Sequence, residues 1–175
     1  MRERIWLACV CLIVMQGHSD ILSFADSFSV GAGRSRDDID VCRLGVRKDF
    51  DFRWLSNSTG WLSVYAEGSL NYWFGDDDDE VVGAAFSPVL IYWLGNEESF
   101  IRPYIEGGIG VACISETQID DRNLSTAFQF EDRIGLGVRM KKVDLNVRYM
   151  HYSNCSIKEP NDGIDLILFT VSYRL

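Results

Sequence analysis

What this chain of 175 residues lacks narrows it first. Beyond residue 25 it has no run of 18 apolar residues, so no later segment can cross a bilayer as a helix, which takes about 20. Basic clusters are missing: 17 Lys and Arg stand against 26 Asp and Glu, for a formal net charge of −9. Binding a phosphate backbone needs concentrated Lys and Arg, so nucleic acid is excluded as a partner. Metal-ligand spacing is absent as well. There are two histidines and no C-x-x-C pair, and neither a metal nor a cofactor is expected. No long amphipathic helix competes with the extended pattern that fills the chain.

Residues 1–25 read as a secretory signal. Arg2 and Arg4 form a positive start, Ile5 to Met15 an apolar stretch, and Ser23-x-Ala25 a small-residue cleavage site. Gly17-x-Ser19 is an alternative site, and a lipid-anchored Cys11 leaves too little apolar stretch before it. The expected mature domain is 26–175. It keeps Cys42, Cys113 and Cys155, an odd count that leaves a thiol unpaired in a monomer.

The rest of the chain breaks into eight alternating segments, near 28–35, 39–53, 60–74, 80–94, 100–115, 126–140, 143–153 and 164–174. Side chains alternate faces along a strand. In the third segment Leu62, Val64, Ala66, Leu70 and Tyr72 share one face, and Ser63, Tyr65, Glu67, Ser69 and Asn71 the other. In the sixth, Phe128, Phe130, Ile134 and Leu136 share a face that Asp132 interrupts. A soluble sheet also has one apolar face. Several of these segments, however, exceed the 9–11 residues that a tilted strand needs to cross a bilayer. The expectation is an eight-stranded antiparallel transmembrane β-barrel, apolar outside. Its polar face, with Glu67, Arg102, Glu106, Glu131 and Arg133, would pair its charges in a narrow lumen. Trp54, Trp61, Tyr72, Trp73, Tyr92, Trp93 and Tyr173 lie near strand ends and suit interfacial girdles. With a periplasmic N-terminus, loops 75–80, 116–125 and 154–163 face outward. Their carboxylates, Asp76 to Glu80 above all, suit either a calcium ion or plain solvation.

The last two segments carry the chemistry. Setting Val143 opposite Tyr173 in an antiparallel hairpin also sets Leu145 opposite Val171, Val147 opposite Phe169 and Tyr149 opposite Ile167. The same register places His151 opposite Asp165, with Ser153 on the same face of its strand. Opposed Cβ atoms lie about 4.5–5.5 Å apart, and a one-residue slip would turn every side chain over. A serine hydroxyl needs a base to become nucleophilic, and imidazole titrates near neutrality. A carboxylate behind it fixes the tautomer. Glu159, in the intervening loop, is the alternative acid, and Cys155 a rival nucleophile. Polar strand ends also carry such trios with no chemistry.

The motif His151-x-Ser153-Asn154, followed by Pro160-Asn161-Asp162-Gly163-Ile164 and an acid at 165, resembles that of the lipid A 3-O-deacylases. Those are outer-membrane barrel enzymes of Gram-negative bacteria. The stretch Phe130-Glu131-Asp132-Arg133-Ile134-Gly135-x-Gly137 resembles the family more weakly. The resemblance implies Ser153 as nucleophile, His151 as base, Asp165 as the orienting acid and Asn154 in the oxyanion hole. It implies hydrolysis of the 3-O-linked acyl chain of lipid A, in lipopolysaccharide of the bacterial outer membrane. Two departures stand out: Asp165 replaces the usual Glu, and Ser156 stands where glycine is common. The competing readings are a phospholipid acyl hydrolase and a non-catalytic structural or partner-binding barrel. A homodimer is compatible with any of them.

Overall fold

The computed structural model describes residues 24–75 and 79–175. Most of the expected signal segment and the acidic residues 76–78 lie outside the described residues, and with them much of the proposed calcium loop. Eight strands close into an antiparallel barrel: β1 (Ser27–Ser35), β2 (Asp40–Asn57), β3 (Gly60–Phe74), β4 (Glu80–Leu94), β5 (Ile101–Ile114), β8 (Phe128–Met140), β9 (Val143–Ser153) and β10 (Ile164–Arg174). Closure is made by β1 on β10, from Ser27 opposite Arg174 to Ser35 opposite Leu166. Asp26 locks the seam: its carboxylate accepts the Asp49 N–H at 2.7 Å and its carbonyl accepts the Leu175 N–H at 3.0 Å. A closed sheet has no edge, which is what a wall facing lipid requires.

The alternation set most boundaries where it was read. β2 runs further than expected, to Asn57, because a register shift between Phe50 and Trp54 absorbs extra residues against β3. Loop 116–125 is not plain loop. It holds a short hairpin, β6 (Gln118–Ile119) and β7 (Arg122–Asn123), and buries Ile119 and Leu124 completely.

The barrel is inside-out relative to a soluble protein. Val46, Leu70, Phe86, Leu90, Ile134, Leu136, Val147 and Phe169 are exposed on its outer wall, while charges fill the interior. Glu67 accepts from Arg43 and Arg133, each at 2.8 Å, and from Arg148 at 3.1 Å. Glu131 pairs with Arg43 at 2.8 Å and with Arg133, and Arg148 also reaches Glu106 at 2.8 Å. Three arginines thus meet three glutamates. That balance matters because burying an unpaired charge is costly, whereas a fully paired cluster offsets much of its desolvation.

Two expectations need correcting. Arg102 does not join this network; it lies over the Trp93 ring at 5.3 Å near the opposite end. Trp61, Trp73 and Trp93 are buried inside, since their positions fall on the lumen phase of β3 and β4. Trp54, Tyr72 and Tyr173 do face outward.

Candidate active site

The β9–β10 hairpin has the register that apolar matching selects: Val143 opposite Tyr173, Tyr149 opposite Ile167, His151 opposite Asp165. Asp144, Asn146, Arg148, Met150 and Tyr152 of β9 are buried in the lumen. His151 and Ser153 therefore point out of the barrel, at the end where loop 154–163 caps it.

His151 Nδ1 lies 2.7 Å from Asp165 Oδ1, and both side chains remain about a third exposed (37% and 35%). Against a carboxylate Nδ1 carries the proton, which leaves Nε2 with a free lone pair. The Tyr149 hydroxyl donates to the same Asp165 oxygen at 2.7 Å. This residue looked like one more member of the apolar stripe, and nothing in its spacing announced the bond. The shorter Asp side chain reaches the imidazole because the two residues are directly opposed. Glu159 is exposed in the loop, and the carboxylate bonded to His151 Nδ1 is that of Asp165.

Ser153 shares the outward face with His151, two residues further along, about 6.6 Å by strand rise. Among the described residues its hydroxyl makes no hydrogen bond, to His151 or to any other group. Catalytic bonds are often long before substrate arrives. Cys155 is exposed beyond the strand end, in left-handed backbone (φ 54°).

Asn154, the expected oxyanion donor, is already engaged in hydrogen bonds within the protein. It is fully buried, and both its amide hydrogens are taken, by Leu124 O and Lys158 O at 2.8 Å each. Its backbone N–H is taken too, by Asn161 Oδ1 at 3.0 Å. Asn154 therefore pins the loop after Ser153 to the segment that follows the β6–β7 hairpin. Asp162 adds a second tie, accepting the Asn123 N–H at 2.7 Å. Gly163 sits at φ 62°, where a Cβ would stand 3.0 Å from His151 Cε1, so its lack of a side chain makes room for the imidazole.

A groove of about 760 Å³ runs along the outer wall from His151 across five strands. Gly107, whose neighbours across the strands are Leu90 and Ile134, leaves a gap in the outward row. Val64, Leu90, Ile109, Ile134 and Tyr149 give the groove an apolar lining.

Residues 40–174 match the family model described as Lipid A 3-O-deacylase (PagL). The chain belongs to the lipid A 3-O-deacylase family. It is 42% identical over 125 residues to the lipid A deacylase PagL of Pseudomonas aeruginosa, covering 70% of this chain and 71% of that protein. It is 37% identical over 119 residues to lipid A deacylase PagL of Bordetella bronchiseptica, covering 66% of this chain and 64% of that protein. The crystal structure of the outer membrane enzyme PagL superposes with a TM-score of 0.81 at 36% identity, covering 85% of this chain and 99% of that one. The deacylase fold is thus an outer-membrane barrel, and the outward-facing apolar wall is its lipid contact.

Proposed function

We propose that this chain removes the 3-O-linked acyl chain of lipid A, with Ser153 as nucleophile, His151 as general base and Asp165 as the acid that orients it. The observation that carries this reading is the His151–Asp165 pair at 2.7 Å, set on the lipid-facing wall beside Ser153 and at the mouth of an apolar groove. Strands that enter from the periplasm bring this end to the outer leaflet. The acyl chain lies in the groove without leaving the lipid phase.

Ser153 Oγ attacks the ester carbonyl while His151 Nε2 takes its proton. The tetrahedral intermediate collapses, the imidazolium returns the proton to the departing sugar oxygen, and the acyl group stays on Ser153. Water, deprotonated by His151, then attacks and releases the free acid. Asp165 holds the imidazole tautomer and stabilises its cation. Asn154 serves the intermediate indirectly, by fixing the loop whose backbone N–H groups at Cys155 and Ser156 follow the nucleophile. A homodimer is compatible with this scheme and not required by it, since every residue of the site lies on one chain. Residues 1–25 act as the export signal, and Asp26, which ties the seam, becomes the first residue of the mature barrel.

The test is mass spectrometry of lipid A incubated with the detergent-refolded protein, beside a Ser153→Ala variant. Loss of one 3-linked acyl chain with the parent alone is the expected result. Release of fatty acid from phospholipid only would replace lipid A as the substrate. Intact lipids with a folded parent would favour the non-catalytic barrel.

A further inference from the structure

The wall beside the site carries a cation that the chemistry so far leaves unused. Arg36 follows β1, and its N–H donates to Asp165 O at 3.3 Å, one step beyond the pair of Ser35 with Leu166. Ser35 is buried in the lumen, so Arg36 takes the outward phase, which is that of Asp165 and His151. The three residues form a row across the end of β1, β10 and β9, whose neighbouring strands lie about 4.8 Å apart. The Arg36 side chain is exposed, and its guanidinium is within electrostatic reach of the Asp165 carboxylate and the Tyr149 hydroxyl. Other arginines of this end are taken: Arg34 bonds Asp40 at 2.8 Å, and Arg122 bonds Asp37 at 2.6 Å. Among the described residues the Arg36 side chain makes no hydrogen bond and no ion pair. Its backbone, by contrast, is held. Ser35 Oγ accepts the N–H groups of Asp37 and Ile39 at 3.0 and 3.1 Å, Ile39 is buried, and the Asp37–Arg122 bond ties the turn to the β6–β7 hairpin.

A guanidinium with a fixed backbone and no partner of its own suits a planar, two-pronged grip on an incoming anion. The groove shows which part of the substrate brings it. It leaves His151 toward β8, β5 and β4 and takes the acyl chain. An ester whose carbonyl is at Ser153 has two arms. With the acyl arm on the β8 side, the sugar arm falls on the side of β10 and β1, where Arg36 stands. In lipid A the glucosamine that bears this ester is phosphorylated at carbon 1. We propose that Arg36 is a substrate-positioning residue that binds the phosphate of the sugar whose ester is cleaved. The proposal rests on the esterase reading above. The phosphate does not change charge while the ester reacts, so the contact is equally strong in the ground state and the transition state and acts through KM.

The experiment uses the full barrel in micelles of a neutral, phosphate-free detergent and two synthetic esters, a 3-O-acyl glucosamine 1-phosphate and the same ester without the phosphate. The readout is kcat and KM on each, for the parent, Arg36→Ala and Arg36→Lys, with folding checked by heat-modifiable gel migration. The parent is expected to favour the phosphorylated ester in kcat/KM. Arg36→Ala should lower that preference about fivefold or more, through KM, fivefold being the upper end for an exposed ion pair. Arg36→Lys, which keeps the charge but not the two-pronged geometry, should restore part of it. A preference unchanged in Arg36→Ala overturns the proposal, and so does a fall in kcat that is equal for both esters, which is the mark of a structural role. An effect of Arg36→Ala that appears only after phosphatidylglycerol is added to the micelles, and equally for both esters, assigns the guanidinium to a neighbouring lipid's phosphate and overturns the substrate contact. A parent inactive on both esters removes the esterase reading itself, and this proposal with it.

Discussion

Replacing Asn154 by alanine separates two roles for this residue, loop pin and oxyanion donor. The structure allows the size of the pin to be worked out. The substitution strips Leu124 O and Lys158 O of donors at 2.8 Å each. The Leu124 carbonyl keeps the Thr126 N–H at 2.7 Å and the Gln129 amide at 3.3 Å, so it is not orphaned and the loss is that of one ordinary bond, about 0.5–1.5 kcal/mol. Lys158 is exposed, so its carbonyl recovers water and the net loss is about 1 kcal/mol. Together, about 1.5–2.5 kcal/mol of loop ordering disappears, which shifts the opening of loop 154–163 by roughly 10- to 70-fold. Lys158 lies within the loop, so trypsin cleavage after it reports opening directly. The expected result for Asn154→Ala is faster cleavage at Lys158 together with loss of deacylation. Asn161→Ala, which removes the acceptor of the Asn154 N–H, should raise cleavage in the same direction. A direct oxyanion donor behaves differently: its removal costs about 10²–10³ in kcat with the loop intact. A loss of that size with the Lys158 bond still protected would refute the pin and restore Asn154 to the oxyanion hole.

Two further substitutions test the scaffold around the site. Tyr149→Phe deletes the hydroxyl that donates to Asp165 at 2.7 Å but keeps the ring that lines the groove. The bond is partly exposed, so the expected effect is about 1 kcal/mol, a fall of roughly fivefold in kcat with KM unchanged; a change confined to KM would contradict a positioning role. Glu67→Ala removes the acceptor shared by Arg43, Arg133 and Arg148 and leaves the lumen with an excess positive charge. Breaking a buried pair in this way costs about 3–5 kcal/mol, so the urea midpoint for unfolding from detergent or vesicles should drop markedly, and an unshifted midpoint would mean that water solvates the cluster.

The hairpin at the site was legible because a strand has a period of two. Four apolar pairs admit one register, and that register sets His151 against Asp165 whether or not any chemistry is assumed. The same periodicity misled where nearness to a strand end was taken as the cue. Trp61, Trp73 and Trp93 sit near ends, but their phase is that of Tyr65 and Glu67, and phase decides whether a side chain meets lipid or lumen. The loop contacts were not legible at all, for a different reason. Asn154 is held by the carbonyl of Leu124, 30 residues earlier, and every residue has such a backbone carbonyl to offer, so the acceptor leaves no mark on the sequence. Tyr149 shows the remaining limit. On an outward stripe it reads as one more apolar residue, because its ring fits the lipid wall, while its hydroxyl is placed by a partner on the adjacent strand. The substitution of Asp for Glu at 165 then has a physical account. The strand pairing already brings the carboxylate within reach of the imidazole, and Tyr149 holds the same oxygen from below, so the missing methylene is compensated by register and a second donor.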